Sequence, residues 1–237
     1  MSNLEVKRNE LKYYISNLEY HTLKNRLKHI LVSDRDIHYS GGYFIRSLYF
    51  DSFDDEALFE KNSGFLERKK YRLRIYDLDT KTVKFEIKHK RNNQVFKESA
   101  IITKDTALSV IDGNYDVLLD YNNPVLNKIY IEFKTKAYSP KVIVDYIRDA
   151  YIYEHFDIRI TFDKDLRSNN TNFDIFDKDI HTIPVIQEQK QILEIKYNLL
   201  IPEHIKTVLQ TDSFERMAIS KYALSRRFLK LYNWEDN

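Results

Sequence analysis

The sequence has no cysteine, which excludes disulfides, thiolate metal sites and a cysteine nucleophile, and fits a reducing compartment. Glycine and proline number four each in 237 residues, too few for a loop-rich or low-complexity chain. No run approaches the roughly 18 uncharged apolar residues of a membrane span. The opening MSNLEVKRNELKYY has no apolar h-region, so no secretory signal is expected. The expected location is cytoplasmic, with any place at a membrane's inner face depending on a membrane-protein partner. There is no G-x-x-x-x-G-K-S/T, so no P-loop. The seven histidines stand isolated, without an H-x-H or H-E-x-x-H pair to hold zinc. A net charge of +2 is too small for bulk nucleic-acid binding, and the alternation within ERKKYRLR (67–74) makes that run a strand before it makes it a nucleic-acid patch.

What the chain does have is 18 tyrosines, 14 phenylalanines and 31% charged residues, a composition that favours strands with a charged face. Alternation predicts strands at 4–15, 43–51, 70–77, 82–90, 94–103, 128–136, 141–152, 157–163 and 191–198. Ser16 and Glu19 have capping-box spacing before a helix with Leu23, Leu27, Ile30 and Leu31 on its apolar side. The run Asp51, Asp54, Asp55, Glu56 reads as a helix N-terminus favoured by the dipole. Pro202 opens another helix, and 213–232 reads as a terminal one. Residues 164–190 are polar and irregular. No linker, repeat or composition shift divides 1–237, so a single domain is expected.

Laid out by period two, the strands separate an apolar face from a charged one. Tyr71, Leu73 and Ile75 oppose Arg72 and Arg74; Ile158, Ile160 and Phe162 oppose Arg159; Leu193, Ile195 and Tyr197 oppose Glu194 and Lys196. E-x-K steps stand at Glu10, Glu86, Glu132 and Glu194. A half-solvated antiparallel sheet would explain the alternation, but arginines at strand centres and both signs at close spacing point elsewhere. Amphipathic helices need the apolar faces, which leaves the charged faces turned toward one another. The expectation is a mainly β, α+β fold: a closed antiparallel barrel with a charged lumen, flanked by amphipathic helices. That lumen would gather Arg8, Lys12, Arg72, Arg74, Lys84, Lys88, Lys134, Arg148, Arg159, Lys196 and Lys221 against Glu10, Glu86, Glu132 and Glu194. So large a cation excess calls for bound anions, such as several phosphates. The carboxylates would be hard oxygen ligands for Mg²⁺ or Mn²⁺. Lys70, at the strand's end, is read as off this face.

Eight segments in order carry a family resemblance: R-N-E-L-K-Y-Y (8–14), S-L-Y-F-D (47–51), Y-R-L-R-I-Y (71–76), E-I-K (86–88), Y-I-R-D-A-Y (146–151), R-I-T-F-D (159–163), L-E-I-K-Y (193–197) and S-K-Y (220–222). Together the chain resembles the VTC domain, the polyphosphate polymerase domain of the triphosphate tunnel metalloenzymes, related to CYTH proteins. The resemblance implies an antiparallel β-barrel tunnel and a metal-dependent transfer of the γ-phosphoryl group of ATP onto polyphosphate. It implies that Lys12, Arg72, Arg74, Lys88, Arg159 and Lys221 hold phosphates, joined by Arg148. Glu194, and after it Glu10, would hold the metal, and Ser220 would contact the phosphate chain. Arg8, Lys134 and Lys196 come from the charged-face reading as further substrate contacts. A triphosphate hydrolase of the same fold, or a non-catalytic polyphosphate- or nucleotide-binding subunit, stays open. The fungal vacuolar members' SPX domain and transmembrane helices have no counterpart in these residues, so inositol-phosphate control and export coupled to synthesis are not among the expectations.

Overall fold

The computed structural model describes residues 9–34, 41–92, 94–186, 189–209 and 214–232. Its strands are β1 (Asn9–Ser16), β2 (Val32–Ser33), β3 (Tyr43–Asp51), β4 (Glu67–Ile75), β5 (Thr82–Arg91), β6 (Gln94–Thr103), β7 (Ser139–Tyr153), β8 (Ile158–Asn169), β9 (Ile183–Pro184) and β10 (Lys190–Tyr197). Its helices are α1 (Asn17–Leu27), α2 (Glu56–Asn62), α3 (Lys104–Ile111), α4 (Pro124–Thr135), α5 (Glu203–Leu209) and α6 (Lys221–Tyr232). The ten strands form one antiparallel sheet, so the fold is α+β and mainly β. No helix among the described residues is long and apolar enough to cross a membrane.

Two compact units divide the chain. The first comprises 1–44, 146–166 and 186–220, and the second 45–145, 167–185 and 221–237. In the first, β1 pairs with β10 and β10 with β8. Helix α1 starts at the expected capping box: Ser16 Oγ accepts from Glu19 N, and the Glu19 carboxylate accepts from Ser16 N. It buries Tyr20, Leu23 and Leu27 with Ile160, Phe162, Leu193 and Ile195. Leu31 is also buried, but it lies past the helix end, and Ile30 is exposed. Helix α5 adds Ile205 and Leu209 to this core.

In the second unit, β4, β5 and β6 form a meander, and β3 lies along β4. Tyr71, Leu73, Ile75, Phe85 and Ile87 pack against α3 and α4. Phe133 of α4 is the hub, stacked on Tyr138 at 4.8 Å and edge-on to Tyr71, Phe85 and Tyr115. Its fully buried ring makes truncation to alanine cost about 3–5 kcal/mol. Residues 164–190, read as irregular, include the end of β8 and the short β9 that pairs with it.

Three expectations are corrected. The segment 128–136 is helix, not strand. Asn123 caps it by accepting from Val125 N and Leu126 N, Pro124 occupies the first turn, and Leu126, Ile129 and Phe133 fall on one buried stripe. The terminal helix begins only at Lys221, because residues 216–217 run along β1 instead: Tyr13 bridges Arg216, and Met217 N donates to Lys12 O at 2.9 Å. That same pairing bears on the expected closed barrel. The strand order β1-β10-β8-β7-β3-β4-β5-β6 ends at β1 and β6. Closure needs a ladder between those ends, and none is formed among the described residues. The free edge of β1 is occupied by 216–217.

Candidate phosphate- and metal-binding faces

Register in the second unit aligns the charged side chains in rows across β3, β4, β5 and β6. One row runs Tyr49, Arg72, Glu86, Ser99; the next runs Ser47, Arg74, Lys84; a third runs Lys70, Lys88, Lys97. Lys70 therefore lies on the charged face, a correction that parity with Arg72 dictates. Glu86 is the single carboxylate in these rows and is fully buried. Arg72 Nε donates to it at 2.6 Å, Arg74 lies 3.7 Å away, and Lys97 forms a close ion pair with it. Arg72 also donates to Tyr49 Oη at 2.9 Å, and Arg74 Nε to Ser47 Oγ at 3.2 Å.

The field of this face is legible in its titrating groups. Burial alone would raise the Glu86 carboxyl, yet Arg72, Arg74 and Lys97 hold it far below the carboxylate range. Burial would likewise raise the Tyr76 phenol, and Arg74 and Lys84 bring it below its ordinary value. Burial lowers Lys97, with Arg72 and Arg74 adding to the effect against Glu86. Six cations (Lys70, Arg72, Arg74, Lys84, Lys88, Lys97) stand in rows with one buried carboxylate, so the face is built to accept anions.

The first unit is built differently. Its rows run Glu10, Lys196, Arg159 and Lys12, Glu194, Thr161 across β1, β10 and β8. Lys12 Nζ lies 3.4 Å from Glu10 and 3.6 Å from Glu194, while Lys196 Nζ lies 3.9 Å and 3.3 Å from the same two. Arg148 is buried and forks onto Asp163 at 2.6 and 2.8 Å, with Glu194 at 3.4 Å. Arg159 pairs closely with Asp34 and donates to Tyr43 Oη at 3.1 Å. Burial depresses Lys196 to about 8, against Glu10 and with the help of Arg148. Four cations here meet four carboxylates, so the expected excess of positive charge resides in the second unit. Among the described residues no group of three carboxylates or histidines is poised for a metal. Glu10 and Glu194 as a pair fit the mode in which a hard divalent ion takes one or two carboxylates and completes its shell with phosphate oxygens.

Of the remaining residues, Lys134 is misplaced by the sequence reading: it lies on α4, with Nζ 3.0 Å from Asp116, and belongs to neither face. Glu132 goes with it, pairing with Lys69. Ser220 immediately precedes α6 and Lys221 is its first residue. Arg8 lies outside the described residues. Lys97, Asp163 and Asp34 were not anticipated. Parity along R-I-T-F-D puts Asp163 on the face of Arg159 without naming its partner, and Lys97 shows as a signal only once β6 is laid against β5, where it stands opposite Lys88. Asp51, also in the second unit, is no metal ligand: it accepts from the backbone N–H groups of Ser52, Ala57 and Leu58 and from Tyr222 Oη, joining the starts of α2 and α6.

The sequence profile of the VTC domain matches residues 7–230. No curated protein is significantly similar to the chain. Among solved structures, a Vibrio parahaemolyticus protein described as a candidate adenylate cyclase shares 14% identity at TM-score 0.49, over 92% of this chain and 97% of its own. A Bacillus halodurans protein described in the same way shares 15% at 0.49, over 91% and 94%. The PH1819 protein of Pyrococcus horikoshii OT3 shares 12% at 0.45, over 96% and 99%. Likeness this distant carries nothing about activity.

Proposed function

Because the chain belongs to the VTC domain family, we propose that it transfers the γ-phosphoryl group of ATP to a growing inorganic polyphosphate chain. The observation that carries this reading is the crowding of Arg72, Arg74 and Lys97 onto the buried Glu86. Phosphoryl transfer asks little covalent chemistry of a protein and much positioning and charge neutralisation. Arg72 and Arg74, two residues apart on one face of β4, lie about 7 Å apart along the strand. That is a spacing at which two guanidinium forks can take neighbouring phosphoryl groups of one substrate. Glu86 holds both arginines in place beforehand, so incoming phosphates would meet donors already oriented. Lys84, Lys88 and Lys97 add point charges for the rest of the anion.

In the first unit, Glu194 and Glu10 would hold Mn²⁺ or Mg²⁺ with the help of substrate phosphates. A divalent ion bound there would neutralise charge on the phosphates that complete its shell. Lys12, Lys196 and Arg148 lie beside those carboxylates, and with Arg159 and Ser220 they would add phosphate contacts; Lys221, at the start of α6, would add one in the second unit.

The test is incubation of the protein with ATP and Mn²⁺ and separation of products by size. Chains longer than triphosphate support the polymerase. Only ADP and inorganic phosphate would make it a triphosphate hydrolase, and retention of nucleotide without turnover a binding subunit. Arg74→Lys should lose tenfold or more of the rate, on the order of 1.4 kcal/mol, because an ammonium lacks the two fixed donors. Glu194→Gln should abolish metal-dependent turnover with the fold intact. Normal rates in both variants would overturn the assignment of the two faces.

A further inference from the structure

At the end of β4 and β5 farthest from Arg74, three large apolar side chains face solvent. Phe59 of α2 is 61% exposed, and Phe65 and Leu66, in the turn leading into β4, are 50% and 66% exposed. They form a built feature rather than scattered exceptions. The Phe59 and Phe65 rings lie 5.9 Å apart. Gly64, at φ +76°, turns the chain so that Phe65 N can donate back to Glu60 O at 3.0 Å. Arg68 donates to Phe65 O at 3.0 Å and Asn92 N to Leu66 O at 2.9 Å, which fixes the turn to the strand ends.

The rim is cationic. Arg68 pairs in register with Lys90, and Arg227 of α6 donates to Asn62 Oδ1 at 2.7 Å, at the end of α2. Burial lowers the Lys61 ammonium, and Arg68, Arg227 and Lys90 add to it, so these four cations share one neighbourhood. The nearby carboxylates are Glu60, whose pKa is raised chiefly by burial, and Glu67, which lies 3.6 Å from Arg91.

We propose that this corner of the second unit docks on an anionic lipid surface. Phenylalanine and leucine side chains carry no hydrogen-bonding atom, so what they gain on contact is apolar depth. The cations around them gain from negative charge lying above that depth. A bilayer with anionic headgroups offers both in one plane, whereas a polyacidic segment without apolar side chains offers only the second. The rows of Arg72, Arg74 and Lys88 play no part in the docking.

The full chain is floated with phosphatidylcholine vesicles, with and without phosphatidylserine. Binding to the phosphatidylserine vesicles alone is expected. Phe59→Ser with Phe65→Ser should abolish it. Lys61→Gln with Arg227→Gln should weaken it about fivefold per lost cation. Both pairs should keep the rate with ATP in solution, since Phe59, Phe65, Lys61 and Arg227 lie on neither charged face. The proposal is overturned if the wild-type protein ignores both vesicles, or if the Phe59/Phe65 variant still binds. It is equally overturned if tripolyphosphate displaces the protein, which would place contact at the phosphate-binding face, or if polyglutamate competes fully, which would assign the corner to an acidic protein.

Discussion

Glu86→Gln isolates the internal counter-ion of the second unit's charged face. The carboxylate is fully buried, with Arg72 Nε at 2.6 Å, Arg74 at 3.7 Å and Lys97 in close contact. Glutamine keeps the shape and one acceptor but removes the charge. Breaking a buried ion pair from one side costs about 3–5 kcal/mol. The Arg72 and Lys97 side chains are 15% and 46% exposed, so water recovers part of that, leaving about 2–3 kcal/mol. For a chain of this size, that lowers the melting temperature by about 4–12 °C. The variant should then gain more from pyrophosphate than the wild type does, because the anion no longer competes with Glu86 for the same donors. Saturation at about 100 times the dissociation constant adds about 2.7 kcal/mol to either protein, and the variant should reach saturation at lower pyrophosphate. The assay is thermal unfolding across a pyrophosphate titration, with sulfate at equal ionic strength as control. A wild-type melting temperature in the variant, or identical pyrophosphate curves, would refute the counter-ion reasoning. The pH dependence gives a second check. Glu86 has a folded pKa below its unfolded one. Its stabilisation is therefore fully present above about pH 4.3 and lost as pH falls through the folded value, so the two melting curves should converge in acid.

Two further outcomes are expected. Lys196 is depressed to about 8 by burial and returns to about 10.4 when unfolded, so the unfolded chain binds the extra proton between those values. Stability should rise with pH across that window, and Lys196→Met should flatten the rise. Gly42→Ala would put a methyl 2.5 Å from Asp149 Oδ1 and 2.6 Å from Arg148 O, at φ +99°. It should cost at least about 2 kcal/mol in chemical unfolding.

Strands whose one face is apolar were readable because parity alone sorts their side chains; β4, β5 and β10 came out with the right faces, apart from Lys70 at the start of β4. The segment 128–136 misled for a physical reason. Ile129, Ile131 and Phe133 alternate with charged and tyrosine residues as in a strand, while Leu126, Ile129 and Phe133 also fit a helix, and only Asn123-Pro124 decides between them. Charge placement was half legible. The Arg72–Glu86–Arg74 group follows from two adjacent strands and a short hairpin. The partners Asp34 and Asp163 depend on which distant segments become neighbours, and alternation carries no such information. Barrel closure failed for the same reason: nothing local announces that 216–217 lies along β1.

Asp51 sets a condition on the order in which the chain can fold. Its carboxylate caps α2 a few residues away, yet it also takes the hydroxyl of Tyr222, 171 positions later. During synthesis at about 5–20 residues per second, the earlier half of the second unit therefore emerges many seconds before α6 can reach it. Until then the place of the Tyr222 ring beside Tyr49 is empty. Contacts of such long sequence separation slow folding, so this unit should complete its packing late.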